Sequence, residues 1–180
     1  MNSRADFIIP ECYIDTNLVE TLAHIVGCNH QKGCNQVARV MRDKFANRFA
    51  VGVIDADKRR PAYLKEFVEI ASSEHLQLLH HTSRAHYIIL IHPAADGFIL
   101  SCAEAAMVNL LDFDLKTDLQ EFTAQTKNVM SNKDVRFKQL FKTIQGFGEM
   151  KLLAALLGYF SDNTYRSSDD DIIRIFQNMK

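Results

Sequence analysis

The sequence predicts an α/β fold in which a mostly parallel sheet is followed by an all-helical extension. Two observations lead to this prediction. The apolar run Ala50–Ile54 is rich in β-branched residues and stops abruptly at an Asp-Ala-Asp motif, as the buried strands of parallel sheets do. From Ala95 to the end of the chain, apolar residues recur instead at helical spacing.

Three elements are expected before the apolar run. Phe7–Ile9 is a short strand closed by a proline, and a helix follows it to about residue 25, with an N-cap at residue 15 or 16. The polar segment Gly27–Gly33 is bracketed by glycines and indicates a loop. A second amphipathic helix is expected from about residue 34 to residue 47, because its apolar residues fall on one face.

Beyond the Asp-Ala-Asp motif, a basic turn leads to a predicted helix at Tyr63–Ser72 and then to two strands, Leu76–His80 and Tyr87–Ile91. The apolar residues of the remaining sequence recur at helical spacing, and short polar or glycine-containing stretches separate them into predicted helices. These helices cover about residues 96–111, 117–130, 133–145, 149–160 and 168–179. We therefore divide the chain into an α/β part, residues 1–93, and a helical extension packed on it, residues 94–180.

Composition limits the classes of function. With 47% hydrophobic and 24% charged residues, the chain is expected to bury an ordinary globular core. It has neither an apolar run long enough for a membrane span nor the apolar segment of a signal peptide, and its four cysteines are scattered, so we expect a cytoplasmic protein without a membrane partner. With a net charge of −1, the chain lacks the large basic field of a dedicated duplex-binding protein, although a local basic patch is compatible with this charge.

Four acidic residues are predicted to meet at one edge of the sheet. Glu11 follows the first strand, Asp15 begins the next helix, and Asp55 and Asp57 end the central strand. A right-handed crossover would make the two strands parallel neighbours, so their carboxyl ends would lie side by side. Carboxylates this close repel one another unless a cation lies between them, and hard oxygen ligands favour Mg²⁺, Mn²⁺ or Ca²⁺ over zinc.

This arrangement resembles the Toprim domain of type IA and type II topoisomerases, bacterial primases and overcoming-lysogenisation-defect nucleases. The first motif of the family, Glu-Gly-x-x-Asp, is matched at both acidic positions by Glu11 and Asp15, and the second, an apolar strand followed by Asp-x-Asp, by Val51–Asp57. The resemblance covers about residues 5–92 and is closest to compact bacterial members. Cys12 stands in the place of the family glycine, which affects how closely the backbone can approach a phosphate.

The resemblance implies a Toprim-like, Rossmann-type sheet with one or two Mg²⁺ (or Mn²⁺) ions at its acidic edge. The catalytic residues and metal ligands would be Glu11, Asp55 and Asp57, with Asp15 as an additional ligand. The groups that contact a substrate phosphate would be Lys58, Arg59 and His30. Glu11 would also be suited to act as a general acid or base.

The leading hypothesis is a Mg²⁺-dependent protein that acts on phosphodiesters, a nuclease or nuclease-like component of a bacterial nucleic-acid-processing or defence system, with DNA or RNA as its partner. Two alternatives stay open. The chain could be a non-enzymatic interaction or regulatory module of the Toprim fold, whose helical half binds a partner protein or a second copy. It could also be a phosphatase acting on a small nucleotide.

Each signal also has a plainer interpretation. Asp15 could be no more than a helix cap, and the basic turn that contains Arg59 could simply be solvated. Haloacid-dehalogenase phosphatases also carry Asp-x-Asp after a strand, but they usually continue it with Thr or Val where this chain has Lys58. A zinc site at Cys28, His30 and Cys34 would lack a clear fourth ligand.

Overall fold

The structure, a computed structural model, describes residues 5–56 and 59–178 and contains a five-stranded sheet with helices on both faces. Its strands are β1 (Ile8–Pro10), β2 (Ala50–Asp55), β3 (Phe67–Ser72), β4 (Leu76–His81) and β5 (His86–Ile91). Their order in the sheet is β1-β2-β5-β4-β3. Strands β1, β2 and β5 run parallel, whereas β4 is antiparallel to β5 and β3 to β4. The α/β class is thereby confirmed, and the sheet is open and mixed.

The helices occur mainly after the last strand, as the helical spacing predicts. Those before it are α1 (Tyr13–Leu22), α2 (Cys34–Arg39), a π-helical segment that continues α2 (Val40–Phe45) and a 3-10 helix (Ala62–Glu66). Those after β5 are α3 (Ala95–Ala105), α4 (Leu119–Thr126), α5 (Val135–Ile144), α6 (Gly148–Asn163) and α7 (Asp169–Gln177), with short 3-10 turns at residues 110–113, 129–133 and 164–166. In the range that the structure describes, none of the helices combines the length and apolarity needed to cross a membrane.

The predicted helix at Tyr63–Ser72 is wrong, because this segment forms the 3-10 helix and then the edge strand β3. The pairing of β3 with β4 shifts register between Glu69 and Ala71. A bulge of this kind adds one residue to a strand, so the side chains after it move to the opposite face. Apolar residues therefore fail to alternate along β3, and their spacing imitates that of a helix.

The first helix also differs from its prediction at its beginning. Helix α1 starts at Tyr13 and its N-cap residue is Cys12, so Asp15 lies in the first turn and is not the cap. Acidic side chains are favourable in a first turn as well as at the cap, because the helix N-terminus carries a partial positive charge. Sequence patterns place such boundaries only to within a few residues.

The two faces of the sheet carry separate hydrophobic cores, because alternate side chains of a strand point to opposite faces. On one, which we call the helical face, α1, α3, α5, α6 and α7 pack over a set of strand residues that includes Ile8, Val51, Val53, Leu78 and Ile89. On the other, the thin face, the described part of the chain covers the sheet only with the α2–π segment and the 3-10 helix. The strand residues beneath them are Ile9, Ile54, Leu79, Ile88 and Leu90.

Gly52 allows the α2–π segment to approach the sheet closely. A Cβ atom at this position of β2 would lie 2.9 Å from the Met41 sulfur and 3.0 Å from Cγ1 of Val37. Real Cβ atoms essentially never come within 3.0 Å of a neighbouring heavy atom, so a side chain here would require the Met41 side chain, or the layer that carries it, to shift. The missing side chain of Gly52 thus sets the spacing of the thin face.

Buried Asn17 connects α1 to the helical extension. Its side-chain nitrogen donates to the backbone oxygens of Ser131, at 2.7 Å, and Asp134, at 3.1 Å. Its side-chain oxygen accepts a hydrogen bond from the Thr21 hydroxyl at 3.2 Å. Buried amides require such partners, since an unsatisfied one costs about 1–3 kcal/mol. The helices after β5 therefore contact the first helix through directional bonds as well as apolar packing.

Candidate acidic site at the carboxyl edge of the parallel strands

The parallel strands β1, β2 and β5 end at one edge of the sheet. In their register, Pro10 pairs with Val53 and Asp55 with Ile91. Just beyond β1, the backbone nitrogen of Glu11 donates to the Val53 oxygen at 3.0 Å, so Glu11 lies beside the last residues of β2. The prediction that the first strand and the apolar run are parallel neighbours is confirmed.

Glu11 is buried at this edge, with 1% of its surface exposed. Its Oε2 atom accepts a hydrogen bond from the backbone nitrogen of Asp55 at 3.0 Å. Its backbone oxygen accepts another from Gly33 at 3.1 Å. The hydrogen bond from Asp55 offsets part of the cost of burying the Glu11 carboxylate, and it holds the end of β1 against the end of β2.

Asp55 lies half-buried at the end of β2 and reaches the next helix of the edge. Its Oδ1 atom accepts a hydrogen bond at 2.9 Å from the backbone nitrogen of Ala95, the first residue of α3. The helix's own N-cap residue, Ala94, supplies no side-chain hydrogen bond. Asp55 therefore acts as a cap from a distant part of the chain, and its charge complements the positive end of α3.

Asp15 lies under the same edge, with 0% of its surface exposed. Its neighbour Cys12 occupies the position of the missing family glycine. Burial is the largest cause that raises the pKa of the Cys12 thiol, and the negative charge of Asp15 and a hydrogen bond with its side chain raise it further, against the opposing effect of a hydrogen bond with the Asp15 backbone. The charge of Asp55 adds a smaller increase. The thiol therefore stays protonated at neutral pH and is a poor nucleophile or metal ligand.

His30 lies against the beginning of α1. Its Nδ1 atom is 3.0 Å from the Thr16 hydroxyl and 3.2 Å from the backbone oxygen of Cys12, and its ring stacks on Tyr13 with centroids 4.6 Å apart. Burial is the main cause that lowers the pKa of His30, and the charge of Lys32 lowers it further, against the opposing effect of the Cys12 carbonyl. The imidazole is therefore neutral at pH 7.

Two small cavities flank the N-terminus of α1. The first, of about 220 Å³, is lined by residues that include Glu11, Tyr13, His30 and Lys32. The second, of about 190 Å³, lies between α1 and α3 and is lined by residues that include Cys12, Asp55, Asp96, Thr126 and Lys127. Glu11 and Asp55 thus face different recesses of one edge, although a hydrogen bond joins them.

The second cavity contains groups that the sequence did not suggest. The Thr126 hydroxyl donates to a carboxylate oxygen of Asp96 at 2.6 Å, and Lys127 lies beside them. Asp96 is in the first turn of α3, whereas Thr126 and Lys127 end α4 and follow it. No motif marks these residues, since only the packing of α3 on α4 brings them to the sheet edge.

The predicted phosphate-binding group Arg59 is exposed and lies near the same edge, after β2. With Asn35, Arg60 and Lys65 it lines a recess of about 370 Å³. Its backbone oxygen is 3.9 Å from the Cys34 sulfur. Asp57 and Lys58, the other two predicted site residues of this turn, lie outside the described residues.

Within residues 5–56 and 59–178, no group of three or more His, Cys, Asp or Glu side chains is arranged to hold a metal ion. Glu11, Asp15 and Asp55 come to the same edge, as predicted, but do not by themselves form such a group. The same finding applies to Cys28, His30 and Cys34, the residues of the alternative zinc site.

Comparisons with known proteins add no further assignment. No family model, curated protein or solved structure matches the chain.

Proposed function

We propose that the protein is a Toprim-like, Mg²⁺-dependent protein that acts on phosphodiesters, a nuclease or nuclease-like component of a bacterial nucleic-acid-processing or defence system. The observation that carries this proposal is the joining of Glu11 and Asp55, which follow adjacent parallel strands, by a 3.0 Å hydrogen bond at the carboxyl edge. Ligands of open α/β sheets bind at this edge. Lys127 lines the adjoining cavity and would attract a phosphate.

The donor set fits a hard divalent cation. Glu11 and Asp55 offer carboxylate oxygens, and each has one oxygen held by a backbone N–H, which fixes its orientation. Asp57 follows Asp55 by two residues and is required as the third ligand, because the described residues contain no complete group. Asp15 is better suited to supporting Cys12 and the first turn of α1 than to direct ligation, since it is fully buried.

When bound, Mg²⁺ would stabilise negative charge on the attacking and leaving oxygens of a phosphoryl displacement. Around it, Lys58 and Arg59 would neutralise a substrate phosphate, and neutral His30 would contact the substrate from the cavity that it shares with Glu11. Glu11, which lies against the strand end, would accept or return a proton.

One observation favours a second candidate, a non-enzymatic module that keeps the fold. Both Glu11 and Asp55 accept hydrogen bonds from backbone nitrogens, at 3.0 and 2.9 Å, and so support the strand end and the start of α3. Carboxylates with such structural roles would be needed even in a protein without chemistry. Metal binding without turnover would distinguish this candidate from an enzyme.

The first experiment is thermal unfolding with and without millimolar Mg²⁺ or Mn²⁺. An ion present at about 100 times its dissociation constant would stabilise the fold by about 2.7 kcal/mol. For a chain of this length, that corresponds to an increase in Tm of about 5–10 °C. Asp57→Asn should abolish the increase, whereas Glu104→Gln, an exposed change on α3, should keep it.

The second experiment offers single-stranded DNA, duplex DNA, RNA and a small phosphomonoester to the same three proteins. Polynucleotide cleavage that Asp57→Asn abolishes would support the proposal. A metal-dependent Tm increase without turnover would assign the non-enzymatic module, and phosphate release from the small ester alone would assign a phosphatase. Absence of both the Tm increase and all turnover would overturn the proposal.

A further inference from the structure

Exposed cations are concentrated on the thin face of the sheet. The α2–π segment carries Arg39, Arg42 and Lys44, and Arg48 lies in the connection that follows it. The turns and the 3-10 helix beside this segment carry Arg59, Arg60, Lys65 and Arg84. We call these eight residues the basic surface. All of them except Arg84, which is half-buried, are exposed. A chain with a net charge of −1 thus presents a local basic field, which is the electrostatic footprint of a nucleic-acid-binding protein.

Hydrogen bonds show that the centre of the basic surface is contiguous. Arg42 binds Asp43 through two nitrogens, at 2.7 and 3.0 Å, and Arg84 donates to the backbone oxygen of Arg42 at 3.2 Å. The Arg42 hydrogen bond is the main cause that lowers the pKa of Asp43, and the charges of Arg39 and Arg84 contribute to the shift. Three guanidinium groups therefore lie near two carboxylates, those of Asp43 and Glu66, and leave an excess of positive charge.

An aromatic pocket lies at one end of this surface. Its volume is about 180 Å³, and its walls include Phe7, Phe45, Phe49 and Tyr165, with Arg48 at the side. The Arg48 guanidinium carbon lies 4.4 Å from the centroid of the Phe45 ring, and Tyr165 is 63% exposed. Pockets for drug-sized molecules measure about 300–1,000 Å³, so this one suits a single planar ring system.

The backbone around the aromatic pocket is strained. Ala46, beside Phe45, has a φ of 36°, and Thr164, beside Tyr165, has a φ of 46°, in a region that residues with a Cβ atom rarely adopt. Such backbone persists only where the surrounding structure holds it, and it often occurs at a binding site. The π-helical segment also ends at Phe45, and single π-helical turns occur frequently at functional sites.

We propose that the basic surface and the aromatic pocket together bind single-stranded nucleic acid, with the phosphates along the cations and one base in the pocket. Proteins of this class combine a positively charged path with aromatic rings on which bases stack. A base in a duplex is paired and stacked and so cannot enter this pocket, which favours a single strand.

The position of the two features relates this surface to the acidic edge. Phe7 and Phe49 precede β1 and β2, so the aromatic pocket lies at the amino edge of the sheet, and Arg59 and Arg60 lie after β2, near the carboxyl edge. The six residues of β2 span about 20 Å. Single-stranded nucleic acid would then be the substrate class of the proposed function. Binding to this surface does not depend on that function, and only the link to cleavage rests on it.

Fluorescence anisotropy in EDTA tests binding separately from cleavage. A labelled 12-mer of deoxythymidine should bind the wild type in low salt, more tightly than a duplex of equal length, and binding should weaken steeply as salt rises. Arg39→Glu with Arg48→Glu should weaken binding at least tenfold, and Tyr165→Ala about tenfold through loss of stacking. Lys138→Glu, an exposed change on α5, is the matched control and should have little effect.

A second measurement tests whether a base binds in the aromatic pocket. The chain has no tryptophan, so Tyr165→Trp introduces a single tryptophan, which can be excited apart from the tyrosines and whose emission should be quenched when a base stacks on it. Absence of binding by the wild type, equal or tighter binding of duplex, or full binding by Tyr165→Ala would each overturn the proposal. Binding by Asp57→Asn with cleavage lost would support both proposals, whereas binding without any cleavage by the wild type would leave this one standing alone.

Discussion

On the helical face of the sheet, the phenylalanines of α3, α5 and α6 are completely buried, and the covering layer consists of α-helices joined by short 3-10 turns. On the thin face, the covering layer changes from α- to π-helix at Val40, approaches the strands over Gly52, and carries arginines on its outer side. The contrast teaches that the two layers divide their tasks. A large core supplies stability, and this allows the opposite layer to be thin and to carry a π-helical segment and exposed arginines.

Removal of a large core side chain should distinguish the two faces most strongly. Phe160→Ala, on the helical face, should lower the free energy of unfolding by about 3–5 kcal/mol, because the ring is 0% exposed and leaves a cavity. Phe45→Ala, on the thin face, should cost less, because its ring borders the aromatic pocket and solvent can occupy part of the space. Urea denaturation measures both values, and an equal or larger loss for Phe45→Ala would contradict the division of tasks.

Acid should destabilise the thin face through His86. Its Nδ1 atom is 2.7 Å from the Tyr63 hydroxyl and its Nε2 atom 3.0 Å from the backbone oxygen of Arg48, and burial lowers the pKa of this imidazole to about 4. Between the ordinary histidine pKa of about 6.5 and pH 4, the unfolded chain binds a proton that the folded chain does not. Stability should therefore fall by up to about 1.4 kcal/mol per pH unit as pH decreases through this range.

Denaturation at a series of pH values tests this expectation. His86→Gln should reduce the fall in the free energy of unfolding per pH unit between pH 6.5 and 4. His24→Asn, an exposed change, should leave this pH dependence nearly unchanged. Burial also lowers the pKa of His30 and His81, so part of the pH dependence should remain in His86→Gln. If His86→Gln leaves the pH dependence of the free energy of unfolding unchanged, other groups cause the acid sensitivity.

Two glycine substitutions should change stability in opposite directions. Gly52→Ala should cost about 1–2 kcal/mol, because its Cβ atom would overlap Met41 and Val37 on the thin face. Gly158→Ala, in the middle of α6, should gain up to about 1 kcal/mol, because nothing lies within 4 Å of its Cβ and alanine favours the helix. Differential scanning calorimetry compares the two variants, and a gain for Gly52→Ala would show that the thin layer can move away from the strand without cost.

The smallest change in stability is expected at the acidic edge of the sheet. Asp55→Ala should cost about 1 kcal/mol in EDTA through loss of the cap on α3, and Asp55→Asn less, because an amide oxygen can still accept the bond from Ala95. Chemical denaturation without metal measures this difference. A clear gain in stability for Asp55→Asn would mean that repulsion between Asp55 and Glu11 outweighs the cap.

Four of the five strands were predictable, because each apolar run stops at a proline, a charge or a polar turn. β3 was not, since its bulge removes the alternation that marks a strand and its edge position leaves several side chains exposed. The predicted helix at residues 96–111 gives way after Ala105 to an irregular connection and a 3-10 turn, and that at 117–130 ends as an α-helix at Thr126. Such endings depend on tertiary packing that local spacing does not encode.

The acidic site was predictable only in its local parts. The common location of Glu11, Asp15 and Asp55 could be predicted from the strand order, because parallel strands end at the same edge of the sheet. Lys127 and the start of α3 reach the same edge through packing between distant elements, so no spacing identifies them. The aromatic pocket joins Phe7 to Tyr165, residues far apart in the sequence, and it too required the folded chain.

The bonds of Asn17 to Ser131 and Asp134 also bear on the order in which the chain forms during synthesis. Helix α1 leaves the ribosome early, but its acceptor at Ser131 lies 114 residues later. At about 5–20 residues per second, that separation corresponds to roughly 6–23 s of translation. Throughout that interval the amide of Asn17 and the apolar side of α1 remain exposed to solvent and to other nascent chains. The first helix to be made is therefore among the last to reach its final partners.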